Sequence, residues 1–286
     1  MAARVPLKRG LAVLVLALLP GCGHKSLDLG ALSSASDQVV WDAAQKAFER
    51  REWENARQYM KRIVDAFPQS EHQPDARIGV ADSYFEEGGT ASYVLAVSSY
   101  REFLTLYPQH PRSDYAQFRA AESYFRQKNS PDRDQTATNQ ALEEYQRLLD
   151  VYPDSKYVEQ TRERIHDCRQ TLARSHHLVG AFYQRGRQAW RSAISRYQTI
   201  VNNYPDYEKL DEILFRLSQC LGAAGRYAEA LPLLGRLEKE YPASPYLPEA
   251  RKLREEFPPS STPAAPPPTP AAGPPAPAPT DAPGKP

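Results

Sequence analysis

The stretch Ala56-Arg-Gln-Tyr-Met60-Lys-Arg-Ile63-Val64-Asp-Ala-Phe67-Pro68 returns in outline at 96–108, 141–153, 193–205 and 230–242. Each copy opens on an alanine (Ala56, Ala96, Ala141, Ala193, Ala230) and sets a bulky side chain four residues later: Met60, Tyr100, Tyr145, Tyr197 or Leu234. Each closes on an aromatic followed by proline: Phe67-Pro68, Tyr107-Pro108, Tyr152-Pro153, Tyr204-Pro205 and Tyr241-Pro242. Ala56, Met60, Ile63, Val64 and Phe67 fall on one stripe of a 3.6-residue helix. Proline has no amide hydrogen and drives the residue before it out of α geometry, so each copy ends its helix at the aromatic. A register held five times at intervals of 37 to 52 residues marks an array of helix-turn-helix units.

Outward from these second helices, Ser70, Ser113, Ser155 and Ser244 stand where the next helix must start and are expected to cap it, with Pro245 at a first helical position. In the first helix of each pair a small residue permits a close crossing: Ala44, Ala81, Ala121, Gly180 and Ser218. Tyr84, Tyr124, Tyr183 and Leu221 follow three residues later. Together with the second alanine and the proline, these positions resemble the tetratricopeptide signature. The resemblance implies an all-α fold, an α-solenoid of about five tetratricopeptide-like helix-turn-helix repeats over roughly residues 37–257. Gly88-Gly89-Thr90 widens the turn of repeat two, and a polar stretch from Arg126 to Asn139 widens that of repeat three. Between Pro153 and Gly180 repeat four holds fourteen residues more than the thirteen of repeats two, three and five, along a stripe of Val158, Ile165, Cys168, Leu172, Val179 and Phe182. Either a lengthened first helix or an additional one fits that stripe.

The two ends differ in kind from the repeats. Arg4, Lys8 and Arg9 precede an apolar run, Leu11 to Leu19, that is too short to span a bilayer and has the order of a secretory signal. Leu19-Pro20-Gly21-Cys22 resembles a bacterial lipobox, with proline where alanine or serine is usual; the bland alternative is a secreted chain with a stray cysteine. The resemblance implies lipidation of Cys22, and each buried methylene of the acyl chains would add about 0.8 kcal/mol of membrane affinity. Gly23, in place of aspartate, points to the outer membrane by the same resemblance. Residues 258–286 hold 13 of the 26 prolines and no aromatic, a composition for polyproline II or disorder: a spacer, or a ligand for a proline-reading domain. The expected organisation is a signal (1–21), a lipidated tether (22–36), repeats one and two (37–110), repeat three (111–154), repeats four and five with a terminal cap helix (155–257), and a Pro/Ala-rich tail (258–286).

The chain carries 36 basic and 35 acidic residues; losing the three basic residues of the signal leaves a net charge of −2, and no nucleic-acid footprint is present. No phosphate loop, nucleophile elbow or zinc-binding histidine pair occurs. Adjacent His176 and His177 diverge by about 100° on a helix, and His166 and Cys168 share the defect, so neither pair chelates a metal. No cofactor is expected, and an enzyme, for instance an envelope hydrolase, is disfavoured. Cys168 and Cys220 lie on apolar stripes, either as two buried thiols or as a bridge between repeats four and five. The acid pairs Glu86-Glu87 and Glu143-Glu144 read as solvated helix faces.

What remains is a binding surface. Positions three before and four after the small first-helix residue share one face: Trp41 and Phe48, Ile78 and Phe85, Phe118 and Phe125, then His177 and Gln184, Phe215 and Gly222. In tetratricopeptide arrays this face lines the groove. Trp41, Phe48, Ile78, Phe85, Phe118 and Phe125, with the hydroxyl of Tyr115, are expected to receive an extended, aromatic-bearing peptide, although large side chains at this spacing also serve packing between repeats. Tyr107-Pro-Gln-His-Pro-Arg-Ser-Asp-Tyr115, Pro131-Asp-Arg-Asp134 and Tyr152-Pro-Asp-Ser-Lys-Tyr157 resemble segments of the BamD family of outer-membrane assembly lipoproteins. That resemblance implies a partner of the periplasmic domains of BamA and of other Bam lipoproteins, lipid-anchored in the outer membrane and facing the periplasm. Unfolded outer-membrane proteins would meet the first three repeats. Repeats four and five would face BamA, and Arg196 is similar to the arginine used there, the bland alternative being a solvated helix arginine. The tail and the short loop at Asp132-Arg133-Asp134 depart from the pattern. A tetratricopeptide lipoprotein of pilus assembly or envelope constriction is the alternative.

Overall fold

The computed structural model describes residues 35–186 and 188–258. Among these residues the chain forms eleven helices and no strand: α1 (Asp37–Glu49), α2 (Trp53–Ala66), α3 (Gln73–Glu87), α4 (Thr90–Leu106), α5 (Ser113–Phe125), α6 (Thr136–Val151), α7 (Val158–Gly186), α8 (Trp190–Asn203), α9 (Leu210–Ala223), α10 (Tyr227–Glu240) and α11 (Leu247–Glu255). Two compact units divide the chain, one up to Ala76 and one from Arg77 onward. The signal, Cys22, nearly all of the tether and almost the whole Pro-rich tail lie outside the described residues.

In the first unit α1 pairs with α2, with Ala44, Ala56, Met60 and Ile63 buried between them. Ser36 caps α1, its hydroxyl accepting from the Val39 amide. In the second unit each helix from α4 to α10 packs against the next in sequence, and the core divides into successive clusters. Ala96, Ala141, Ala193 and Ala230 are fully buried with Tyr100, Tyr145, Tyr197 and Leu234, so the small-then-large spacing marks the seam between helices. Repeat four is settled as one lengthened helix: α7 runs 29 residues without a break. The polar expansion of repeat three is shorter than its sequence suggests, because α6 already starts at Thr136.

All five second helices stop one residue before the aromatic, which leaves α geometry (Phe67 φ −126°, Tyr107 φ −133°, Tyr152 φ −128°, Tyr204 φ −131°, Tyr241 φ −128°, each with ψ between 59° and 65°) as the following proline demands. The linkers then repeat one double turn. The amides of Ser70, His110, Ser155, Tyr207 and Ser244 donate to the aromatic's carbonyl, and those of Gln73, Ser113, Val158, Leu210 and Leu247 donate to the carbonyl of that third residue. This corrects the capping expectation. Ser70, Ser155 and Ser244 accept from the amides of His72, Tyr157 and Tyr246, two residues on, and so brace the turn before the helix begins. His110 does the same through Nδ1 to the Arg112 amide (3.2 Å). Ser113 is already inside α5, and its hydroxyl donates back to the Tyr107 carbonyl (2.7 Å). Pro245 lies in the turn, and Pro248 occupies the first turn of α11 instead.

Candidate binding surface

In the first unit Trp41 and Phe48 are half-buried on α1. Trp41 stacks on His72 (centroids 4.8 Å apart, planes 3°), and Phe48 meets Trp53 edge-on at 5.0 Å.

In the second unit the expected groove residues separate into two classes. Ile78, Phe85 and Phe118 are buried. Phe118 is covered by Tyr157, stacked at 4.7 Å, and Phe85 by the Arg119 guanidinium at 3.6 Å, with Arg126 at 5.8 Å. Tyr115 and Phe125 remain half-exposed. The Arg112 guanidinium lies 5.0 Å from the Tyr115 ring, while Arg164 and Lys128 lie 4.6 and 4.7 Å from Phe125. Five cations thus sit over three rings, each pair attracted through the ring quadrupole. The surface offered to solvent is aromatic and basic rather than simply apolar.

Beneath it lie two buried acids. The Asp82 carboxylate accepts from the hydroxyls of Tyr100 and Tyr115 (2.9 Å for Tyr115) and sits 3.6 Å from Arg112 and 3.9 Å from Arg119. One hairpin on, Glu122 accepts from the Tyr145 hydroxyl and from Arg164 Nε at 2.7 Å, with Arg126 at 3.9 Å. Each acid follows the small residue of a first helix, each tyrosine is the bulky residue of the second, and an arginine from the next first helix closes the set. Burial pushes the Asp82 carboxyl above the usual carboxylate range against the opposing pull of Tyr100 and Arg119. Desolvation first, and then the adjacent carboxylate, raises the Tyr100 and Tyr145 hydroxyls.

Glu144 needs correction as well. Glu86, Glu87 and Glu143 are exposed as expected, but Glu144 is buried. It accepts from Arg101 of α4, through Nη2 and through Nε at 3.1 Å, and from the Gln117 amide of α5 at 2.7 Å. Sequence reading missed this ion pair and both tyrosine–acid sets. A usable signal was present in Ala81-Asp82 and Ala121-Glu122, where a carboxylate follows the small residue in the two repeats whose bulky position is tyrosine with an acid within reach.

Farther along, His177 Nδ1 lies 3.2 Å from the Tyr207 hydroxyl and Nε2 3.7 Å from Glu212; burial lowers its pKa, with Glu212 opposing. Tyr197 donates to Gln184 (2.8 Å), which donates to Gln219 (3.1 Å). Phe215 is buried against Tyr246 at 5.5 Å. Arg196 is exposed on α8, with Nη1 3.4 Å from His176 Nδ1. Cys168 and Cys220 are free, buried thiols in separate clusters, and burial pushes each up to about 12. Among the described residues no three His, Cys, Asp or Glu side chains converge as metal ligands would, and no helix is long and apolar enough to cross a membrane.

The sequence model of the outer membrane lipoprotein family YfiO matches residues 33–223, two thirds of the chain. The chain belongs to this family. A tetratricopeptide repeat model matches residues 212–244, on α9, α10 and the linker after them. The outer membrane protein assembly factor BamD of Caulobacter vibrioides is 27% identical over 220 residues, covering 77% of this chain and 71% of its own length. BamD of Vibrio cholerae is 25% identical over 223 residues, covering 73% and 90%. Among solved structures, the TPR2AB domain of yeast Sti1 aligns at TM-score 0.40 and 13% identity, covering 77% of this chain and 97% of that one. Four of this chain's five double turns and both of its tyrosine–acid sets fall within the matched span.

Proposed function

We propose that this lipoprotein is a non-catalytic scaffold for assembly of outer-membrane β-barrel proteins. In this reading lipid on Cys22 holds it in the outer membrane, facing the periplasm; the repeat-four surface around Arg196 binds BamA, alongside other Bam lipoproteins; and the α5 face receives unfolded outer-membrane protein segments. The observation that carries the reading is the family match over residues 33–223, whose curated relatives bear the assembly-factor name.

Local chemistry supports the parts. Tyr115 and Phe125, half-exposed among Arg112, Arg119, Arg164 and Lys128, suit a peptide that brings an aromatic ring and a carboxylate. Arg196 stands free enough on α8 to reach a partner. Two thiols buried and pushed up to about 12 make poor nucleophiles.

Copurification from detergent-solubilised envelopes tests the reading. The tagged chain should recover BamA, and Arg196→Glu should lower that recovery about tenfold, a cost of about 1.4 kcal/mol. Absence of BamA from the wild-type eluate would overturn the proposal, and equal recovery from the variant would overturn the role of Arg196.

A further inference from the structure

The last first helix and α11 enclose a shallow cleft of about 300 Å³. Phe215 and Gln219 of α9 form one side with Tyr246 of the linker; Glu249, Lys252, Leu253 and Glu256 form the other. Those four lie at i, i+3, i+4 and i+7, one stripe along α11 and its last turn, so the cleft follows the helix axis. Phe215 and Tyr246 are stacked, with planes 23° apart. Gln219 accepts through Oε1 from Gln184, which leaves its amide nitrogen as the donor end. Among the described residues no salt bridge engages Lys252. An aromatic pair and a leucine beside two donors fit a ligand that offers flat apolar rings and bare carbonyls with few amide hydrogens, while the exposed carboxylates of Glu249 and Glu256 keep their water. A proline-rich segment in polyproline II form has that chemistry.

We propose that the cleft holds the chain's own segment Pro263-Ala-Ala-Pro-Pro-Pro-Thr-Pro270. The described chain leaves α11 at Phe257, which is buried with its ring against α9 and Tyr227: a Cβ on Gly222 would fall 2.8 Å from that ring, and the ring centroids of Tyr227 and Phe257 are 5.0 Å apart. The departure point is therefore pinned beside the cleft. The nine residues of α11 span about 13 Å at 1.5 Å per residue. A strand of polyproline II covers that length in about four or five residues at 3.1 Å each. Five residues, 258–262, are available to reverse direction, which puts the first four or five residues of Pro263–Pro270 alongside α11 running back toward Tyr246 and carries the rest past it. So short a tether gives a local concentration on the order of millimolar, and proline loses little further entropy on docking.

Hydrogen exchange read by mass spectrometry on the full chain in detergent tests this. α11 is the last of the described helices, and its amides exchange through local opening that a docked segment must first vacate. A local concentration of a few millimolar against an intrinsic Kd near 1 mM slows that exchange roughly 3- to 6-fold. The full chain should therefore exchange about 3- to 6-fold more slowly at residues 250–256 than the chain ending at Pro258. The full-length Pro266→Gly/Pro267→Gly/Pro268→Gly variant should match the shortened chain. Equal rates in all three would overturn the proposal. So would slowing that the glycine variant retains, or slowing that grows with protein concentration, which would place the segment on a second copy.

Discussion

Three helical glycines meet different surroundings, and Gly→Ala at each separates packing from propensity. In a helix interior alanine is favoured over glycine by about 1 kcal/mol. At Gly180 of α7, however, an added Cβ would stand 2.6, 2.9 and 3.0 Å from Cε1, Cδ1 and Cζ of Tyr197. That ring is fully buried, and its hydroxyl is held by Gln184, itself bonded to Gln219, so it cannot swing aside without breaking the chain of amides. Overpacking of this kind costs about 1–3 kcal/mol, and three contacts at or under 3.0 Å place it in the upper part of that range. Gly180→Ala should therefore lose about 1–2 kcal/mol net. At Gly235 of α10 nothing lies within 4 Å of the added atom, and the same change should gain about 0.5–1 kcal/mol. Gly222 falls between: its added Cβ would meet the Phe257 ring at 2.8 and 3.0 Å, a ring that no hydrogen bond holds as Gln184 holds Tyr197. Urea unfolding followed by far-UV circular dichroism gives the order, provided m is unchanged. Because repeat arrays open in sections, exchange of α7 and α8 amides localises the loss. If Gly180→Ala stabilises as much as Gly235→Ala, the close crossing of α7 and α8 is not what the glycine serves.

Further outcomes follow from the buried polar sets. Tyr145→Phe, which strips a donor from Glu122, should cost about 1–3 kcal/mol, whereas Tyr152→Phe, whose exposed hydroxyl donates to the Pro108 carbonyl at 3.2 Å, should cost less than about 0.5 kcal/mol in the same urea titration. Arg101→Met leaves Glu144 with Gln117 and with Arg147 at 3.7 Å and should cost about 1–3 kcal/mol; adding Glu144→Leu should recover most of that, because an apolar pair replaces a stranded charge, and a double-mutant cycle without coupling would refute the pair. Asp82 holds its proton more tightly folded than unfolded, so its contribution to stability is greatest at low pH and fades as pH rises from the usual 3.8 through its raised folded value. Asp82→Asn, facing the same Tyr100, Tyr115, Arg112 and Arg119, should therefore gain stability relative to wild type as pH climbs through that window, and a flat difference would contradict the direction. Cys168 and Cys220 should resist a thiol reagent in the native protein and react only as urea opens the repeats; rapid native labelling would contradict their burial.

The repeat count, the C-terminal ends of the second helices and the seam residues were legible because local chemistry writes them: a proline stops a helix wherever the chain goes next, and a buried alanine beside a bulky residue needs only helical spacing. The exposure of the expected groove residues was not legible. Glu143 and Glu144 are the same residue type side by side, and what distinguishes them is a guanidinium 43 positions earlier and an amide 27 positions earlier, brought in by neighbouring hairpins. Phe118 and Phe125 share one stripe, yet Phe118 is roofed by Tyr157, the fifth residue after the aromatic of the next linker, as Trp41 is by His72 and Phe215 by Tyr246. In repeat two that fifth position is Arg112, which turns its cation to Asp82 and Tyr115 instead.

The tyrosines carry the most general point. A tyrosine fully buried at the seam must find an acceptor for its hydroxyl, so the residue after the small position of the first helix is not free to vary independently of it. Asp82 and Glu122 answer Tyr100 and Tyr145. In repeat four that position is Ala181, and Tyr197 turns to Gln184 three residues farther on; in repeat five the seam residue is Leu234, which asks for nothing, and Gln219 is released to bond Gln184. An acid supplied to a tyrosine then needs a cation, and Arg119 and Arg164 come from the first helix of the following repeat. The same arginines lie over Phe85 and Phe125. The basic, aromatic character of the α5 face is thus a consequence of burying two tyrosines one layer below it.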